Sequence, residues 1–236
     1  LVGTEMIADA SDNITLQVLL SVPELSINTA IRRMYLIASS MHKDAMSALT
    51  ELSHELAKEV IKSDDEVDRF SLYVSRNLVT AMQNGRVLRE MGLKSPSDCL
   101  SYRVAAKSIE RVADHACSIA DKTIKLKDKI PKESLQRIEK MSHLALTVLG
   151  DSVEALLRRD YQLADKTVDN AENIRALEDN VMTAMEKDRV QHDSANIKLA
   201  LEDIRRTAEY ASDIAEAALN ETIDEVTEKH STNSRK

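Results

Sequence analysis

Apolar residues recur along most of the chain at spacings of three and four positions, the period of an α-helix that buries one face. With the interruptions taken as helix ends, the pattern predicts six helices. They run over about residues 27–50 and 52–91, then from a cap at Ser97 or Asp98 to about residue 125, and over about residues 132–158, 162–186 and 194–225. One main break is "GLKSPSD", where Ser97 or Asp98 can cap a helix. Another is "KDKIPKES", where Pro131 suits a helix start.

The two ends of the chain depart from this helical period. Residues 5–20 alternate between apolar and polar positions around "ASDN", which predicts two short strands and a turn. A hairpin of this size is marginal alone, so we expect it to be the remnant of a larger N-terminal unit. Residues 228–236, "EKHSTNSRK", are polar and predict a disordered tail.

The sixth predicted helix carries an apolar seam with alternating spacings of four and three, and the third predicted helix repeats it. Alanine dominates both seams, so neighbouring helices can approach closely. The predicted fold is therefore all-α. It has two tandem three-helix bundles, at residues 26–127 and 131–227, which form an internal repeat, and a short β-hairpin segment at residues 1–22 precedes them.

Composition supports helices and excludes several classes of function. Glycine and proline are scarce (4 and 3 residues) and Trp is absent, which favours long helices. The net charge is −8 without any Lys/Arg-rich tract, so nucleic-acid binding by this segment is not expected. Neither a membrane span nor a signal peptide is predicted. Cys99 and Cys117 lie at no metal-ligand spacing and are expected to be buried and reduced, which favours the cytoplasm.

Two pairs of acidic residues lie on neighbouring predicted helices. Asp64 and Asp68 are spaced i,i+4 in "KSDDEVDRF", and Glu110 and Asp114 have the same spacing in "SIERVADHACSIAD". Adjacent helices of an up-down-up bundle are antiparallel, so the four carboxylates can face one another. Such a cluster raises the pKa values of its members unless a cation intervenes, and its oxygens suit hard or borderline metal ions. Solvated acids on an exposed helix face are the plainer alternative.

These motifs resemble the paired E/D-xxx-D motifs of the PhoU family, phosphate-uptake regulators built from two three-helix bundles. The resemblance extends over residues 26–219, with the same motif order and the same repeat architecture. The segment "LQVLLSVPELSINTAIRRMYLIASSM" looks most like archaeal relatives. Some of these carry an AbrB-like DNA-binding domain upstream, and we expect this sequence to lack that domain.

The resemblance implies both a metal site and a regulatory role. Family motifs of this kind hold multinuclear metal clusters, often of iron, which carries over to Asp64, Asp68, Glu110 and Asp114, with iron or zinc as the expected ions. Family members are negative regulators of phosphate uptake that contact the phosphate transporter, here expected through its ATPase, or a signalling regulator. The chain is then a homodimeric adaptor without membrane insertion. The alternatives are a metal-storage or di-metal carboxylate protein and a purely structural helical scaffold.

The second half departs from the motif. Alignment of "NAENIRAL" with "SDDEVDRF" puts Ala171 and Arg175 at the two acidic positions, and Arg205 replaces Glu110. Ion pairs with Glu209 are the simplest interpretation of this change. A displaced metal site one turn along is the second interpretation, with Glu209 and Asp213 facing a pair of acids on the preceding helix. That pair would be Asp169 with either Glu172 or Asp165.

Other motifs indicate no further chemistry. Glu51 and His54 have the E-x-x-H spacing of di-iron bundles, but such sites need two copies and the sequence has one. We therefore expect His54 at the surface and His115 in a structural hydrogen bond. No Gly-rich phosphate loop or nucleophile–base pair is present in the sequence, so enzymatic activity is not expected. Dibasic pairs could contact phosphate, an acidic partner or surface carboxylates: Arg32-Arg33, Arg158-Arg159 and Arg205-Arg206.

Overall fold

The computed structural model describes residues 4–10, 13–18, 25–188 and 193–233, and side chains in residues 25–188 and 193–222. Strands β1 (Thr4–Ala10) and β2 (Asn13–Val18) pair antiparallel, as the alternation of residues 5–20 predicts. The helices are α1 (Ile27–Glu51), α2 (His54–Lys62), α3 (Asp64–Gln83), α4 (Gly85–Glu90), α5 (Asp98–Lys125), α6 (Lys132–Arg158), α7 (Tyr161–Lys187) and α8 (Ser194–Asn233).

The helices form two bundles in tandem. In the first bundle, α1, the α2–α3 segment and α5 pack against one another, and in the second, α6, α7 and α8 do so. The bundles meet where α5 packs on α8 and α1 packs on α6. The all-α architecture of tandem bundles is the one that the sequence predicts.

The predicted helix at residues 52–91 is wrong as a single element, because the chain breaks twice within it. α2 ends at Lys62 and is followed by the capping residue Ser63, whose hydroxyl donates a hydrogen bond to the Glu59 carbonyl at 3.0 Å. A second break follows at Asn84, whose side chain accepts from the Arg86 amide and caps α4. An asparagine followed by a new helical turn is a start signal that hydrophobic periodicity does not register. The Ser63 side chain makes no capping hydrogen bond to α3, so that break has no such signal.

The last helix is longer than predicted. α8 continues to Asn233, so it covers most of the segment at 228–236 that the sequence predicts as a disordered tail. Residues 234–236 of that segment lie outside the described residues. Across the described residues, none of the helices combines the length and apolar character needed to cross a membrane.

Small side chains line the contact between the two bundles. Alanines of both predicted seams are fully or almost fully buried, namely Ala106, Ala113, Ala116, Ala120, Ala208, Ala211, Ala215 and Ala218. The close approach also lets Ser101 of α5 donate a hydrogen bond to the Ala217 carbonyl of α8 at 3.2 Å. Helices that approach this closely leave no volume for a larger residue.

The Ala116→Leu substitution tests this packing. A leucine at the buried seam has to displace a neighbouring helix, so we expect the free energy of unfolding to fall by about 1–3 kcal/mol. The matched control is Val104→Leu, at a position on α5 that is 40% exposed, where we expect a change within about 0.5 kcal/mol. Urea unfolding measures both, and equal effects of the two variants would contradict the close approach.

Candidate metal centre

The first acidic pair lies at the start of α3. Asp64 is the first residue of the helix and Asp68 follows one turn later, after Asp65 and Glu66. Negative side chains are stabilised at a helix N-terminus because the helix dipole places partial positive charge there. The break at Ser63 therefore puts the pair where the backbone itself favours carboxylates. Asp64 is half-buried and Asp68 is exposed.

The second pair lies on the facing part of α5. Ser71 of α3 donates a hydrogen bond to Glu110 Oε2 at 2.9 Å, and Lys107 Nζ lies 2.5 Å from Glu110 Oε1. The Ser71 bond fixes the register between the two helices. It brings Asp114, one turn beyond Glu110, towards the start of α3. The structure thus brings the two predicted pairs to one face of the first bundle.

Burial and mutual repulsion raise the pKa values of two of these carboxyl groups, Asp64 and Asp114. Partial burial raises the pKa of Asp64 to about 6, with further increases from Asp114, Asp68, Asp65 and Glu110. Burial also raises the pKa of Asp114, as do Glu110 and Asp68, while Lys107 lowers it. Burial and neighbouring carboxylates thus both disfavour the charged forms of Asp64 and Asp114, because too little positive charge lies near them.

The sequence did not predict that Cys117 lies beside the acidic pairs. Cys117 lies one turn beyond Asp114, and its thiol donates a hydrogen bond to the Val60 carbonyl at 3.7 Å. Burial and the nearby Asp64, Asp114 and Asp68 carboxylates raise the pKa of Cys117 to about 12. The cysteine is therefore a neutral thiol beside the acids. Its i,i+3 spacing from Asp114 is the only signal of this position in the sequence.

The oxygen atoms of the four carboxylates are suitable ligands for a cation, but the side chains are spread too widely to coordinate one as they stand. Within the described part of the chain, no three His, Cys, Asp or Glu side chains are gathered closely enough to hold a metal ion. Asp68 and Asp114 are exposed, so their side chains can rotate without disturbing the core. On binding a cation, Glu110 would give up its ion pair with Lys107 and contact the cation instead. Oxygen donors of this kind fit a hard or borderline metal ion once they rotate inward.

The equivalent region of the second bundle holds ion pairs. Glu209 pairs with Arg205, with Arg206 at 3.1 Å and more distantly with Arg175 at 4.0 Å. Arg205 also contacts Glu178 at 3.1 Å. These contacts match the interpretation that arginines replaced the second set of acids.

The displaced second site remains a prediction. Asp169 and Glu172 are exposed on α7, and Glu172 and Glu209 line one groove of about 530 Å³. Burial and Glu216 raise the pKa of Asp213, and Arg111 lowers it. Because arginines already neutralise Glu209, these four residues form a weaker cation site than the first bundle offers.

His54 lies at the surface and His115 makes a structural hydrogen bond, as the sequence predicts. His54 is exposed and begins α2, whereas Glu51 ends α1, so the E-x-x-H pair does not lie on one helix face. His115 Nδ1 donates to Asp203 Oδ1 of α8 at 2.7 Å, and its ring stacks on Tyr210. His115 therefore has a structural role between α5 and α8.

Comparison with known proteins agrees with the fold. The family model described as PhoU domain matches residues 31–123 and 138–218, one segment in each bundle. The chain belongs to the PhoU family. Relatives in this family extend along most of the chain.

Two of these relatives are PhoU homologs of Aquifex aeolicus and Thermotoga maritima. The phosphate-specific transport system accessory protein PhoU homolog of Aquifex aeolicus is 28% identical over 166 residues, covering 66% of this chain and 69% of its own length. PhoU homolog 1 of Thermotoga maritima is 22% identical over 200 residues, covering 82% and 84%.

Solved PhoU structures share the fold of this chain. The Pseudomonas aeruginosa PhoU structure superposes with a TM-score of 0.71 at 19% identity, covering 82% of this chain and 93% of that one. The phosphate transport system regulatory protein PhoU of Streptococcus pneumoniae gives 0.68 at 19% identity, covering 82% and 91%. The tandem bundle is thus the PhoU fold.

Replacement of Asp64 tests the raised pKa at the first site, which burial and the neighbouring carboxylates cause. Because the pKa of Asp64 is raised to about 6, the folded metal-free protein holds a proton that the unfolded chain releases, and wild type loses stability as pH rises towards 6. Asp64→Asn removes that loss. We expect its free energy of unfolding, relative to wild type, to rise between about pH 4 and about pH 7.

The control is Asp65→Asn, at the exposed neighbouring position. Urea unfolding in the presence of a chelator measures all three proteins at both pH values. A pH-independent difference between Asp64→Asn and wild type would contradict the raised pKa of Asp64.

Proposed function

We propose that this protein is a negative regulator of phosphate uptake that acts by contact with other proteins. The observation that carries the proposal is the PhoU family model matching both bundles. The names of its relatives, which describe accessory proteins of the phosphate-specific transport system, support the same role. The expected partner is the ATPase of the phosphate transporter or a signalling regulator. We place this non-enzymatic role in the cytoplasm.

Exposed apolar side chains on α3 support a role in protein contact. Leu72, Val79 and Met82 are 61%, 56% and 53% exposed. Their spacings of seven and three residues put them on one side of the helix. Large apolar side chains grouped on one exposed face are typical of surfaces that bind another protein. A homodimer or a transporter subunit would each cover this face.

We further propose that Asp64, Asp68, Glu110 and Asp114 hold a metal cluster, of iron or zinc, in the first bundle. The raised pKa values of Asp64 and Asp114 support this proposal. A bound cation would stabilise the charged carboxylates, which burial and the neighbouring acids disfavour. When bound, the metal would supply positive charge that joins α3 to α5. We propose one such site per chain, because Arg175 and Arg205 stand where the alignment puts Asp68 and Glu110 in the first bundle, and Arg205 pairs with Glu209.

Deletion of the gene in the organism that encodes the chain tests the regulatory role. We expect phosphate uptake in phosphate-rich medium to stay high without the protein, because nothing would then restrain the transporter. Wild-type protein supplied in trans should restore the restraint, and Val79→Glu/Met82→Glu, which adds charge to the exposed face of α3, should not. Uptake of labelled phosphate measures each strain. Normal restraint in the deletion strain would refute the role.

Elemental analysis tests the metal proposal separately. Metal-free protein is reconstituted with iron or zinc and freed of excess ion, and we expect more than one ion per chain to remain. Asp68→Ala/Asp114→Ala should abolish retention because it removes one carboxylate from each pair. The matched control is Asp65→Ala/Glu66→Ala, which removes two exposed acids from the same turn of α3. Equal retention by the two double variants would exclude the site.

A further inference from the structure

Both carboxylate oxygens of Glu110 are engaged by other side chains. Oε2 accepts a hydrogen bond from Ser71 of α3 at 2.9 Å, and Oε1 accepts one from Lys107 Nζ, one turn earlier on α5, at 2.5 Å. The Glu110 side chain is 17% exposed and the Lys107 side chain is 39% exposed. The ion pair is therefore partly shielded from water, which strengthens it relative to a fully solvated pair.

The second bundle repeats this arrangement with the charges exchanged. Three positions correspond in the alignment of the two bundles: Arg205 stands at the position of Glu110, Glu202 at that of Lys107 and Glu178 at that of Ser71. Arg205 contacts Glu178 at 3.1 Å and Glu202 at 3.7 Å, and it also pairs with Glu209. A positive charge that belongs to the chain is thus held among several carboxylates in this bundle.

Lys107 is held less firmly than Arg205. In the part of the chain whose side chains are described, Glu110 is the carboxylate within 4 Å of Lys107 Nζ, whereas Arg205 has three such partners. A lysine ammonium is a point charge on a flexible stem, whereas a planar guanidinium can bind carboxylates through two nitrogens. Lys107 can therefore leave Glu110 for solvent by side-chain rotation alone.

We propose that Lys107 is a built-in counter-ion of the acidic pairs, which competes with a metal ion for Glu110 and so sets the affinity of the site. The competition presupposes the metal site proposed above and names the residue that limits it. Metal binding releases Lys107 into solvent, and loss of the metal returns Lys107 to Glu110.

The geometry of α5 makes the two cations mutually exclusive at Glu110. Lys107, Glu110 and Asp114 follow one another at spacings of three and four residues, so they share one side of the helix. Ser71 already occupies Oε2, so a metal ion that approaches Glu110 meets the ammonium on Oε1. Two positive charges at that separation repel each other, and the more mobile one is displaced.

Lys107 also acts on the second carboxylate of α5. Its charge lowers the pKa of Asp114, against the effects of burial, Glu110 and Asp68, which raise it. His115 lowers this pKa as well, but its Nδ1 is already bonded to Asp203 of α8 at 2.7 Å. The exchangeable positive charge beside Glu110 and Asp114 is therefore that of Lys107.

Zinc affinity, measured by competition with a chromophoric chelator, tests this role. Lys107→Met removes the ammonium and keeps an unbranched apolar stem, so we expect Zn²⁺ to bind about tenfold more tightly. Lys107→Arg keeps the charge and should bind Zn²⁺ no more tightly than wild type. The control Arg103→Met removes the same charge one turn earlier, at an exposed position of α5, and should stay within about twofold of wild type.

The outcomes separate the competition from the metal site itself. Equal zinc affinities of wild type and Lys107→Met would overturn the competition and leave the site in place. Equal gains in Lys107→Met and Arg103→Met would also overturn it, because the effect would then be general to positive charge on α5. Absence of zinc binding in all four proteins would remove the metal site and the competition together.

Acetylation of lysines, followed by mass spectrometry, tests the ion pair without zinc. With a chelator present, Glu110→Gln should raise the acetylation rate of Lys107, because the ammonium loses the carboxylate that stabilises it. Lys58, exposed on α2, should react equally in both proteins. Unchanged reactivity of Lys107 in Glu110→Gln would refute the ion pair.

The same measurement on wild type loaded with Zn²⁺ tests the release. We expect the acetylation rate of Lys107 to rise on loading, as it does in Glu110→Gln, and that of Lys58 to stay the same. Unchanged reactivity of Lys107 in zinc-loaded protein would show that metal and lysine bind together, which contradicts the competition.

Discussion

The close contact between α5 and α8 is the constraint on which the rest of the structure depends. Buried alanines on both helices bring the two backbones together, and Ser101 reaches a main-chain carbonyl of α8 as a result. At such short separation, a polar side chain on one helix must find its partner on the other or be left unsatisfied. The polar contacts between the bundles follow from this requirement.

Those contacts form a series of ties along the boundary. His42 of α1 is hydrogen-bonded to Ser142 of α6 at 2.9 Å, and burial lowers the pKa of His42 to about 4, so this tie is between neutral groups. His115 and Asp203 tie α5 to α8. Each tie is specific in direction, whereas alanine packing alone would tolerate sliding of one bundle along the other. The polar groups therefore fix the register that the small residues permit.

The sequence predicts the bounds of a helix well where helix-breaking residues stand at the point where the apolar spacing of three and four ends, and less well elsewhere. α5 and α6 have the predicted bounds because loop residues and Pro131 flank them. α2, α3 and α4 were predicted as one helix because the apolar period continues across Ser63 and Asn84, where only the capping chemistry changes. The acidic pairs were recognisable from i,i+4 spacing. Partners far apart in sequence were not, since periodicity carries no information on which side chains meet across helices.

Arg159 illustrates that limit, because the sequence marks it only as half of a dibasic pair. Its neighbour Arg158 pairs with Glu154 at the surface, where water screens the interaction, so little depends on it. Arg159 caps α6 in the left-handed conformation, and the carboxylates of Asp98 and Glu221 that it contacts lie 61 residues before it and 62 residues after it. Identical side chains at adjacent positions thus have different physical roles. Burial separates them, since one charge is solvated and the other contacts two buried carboxylates, those of Asp98 and Glu221.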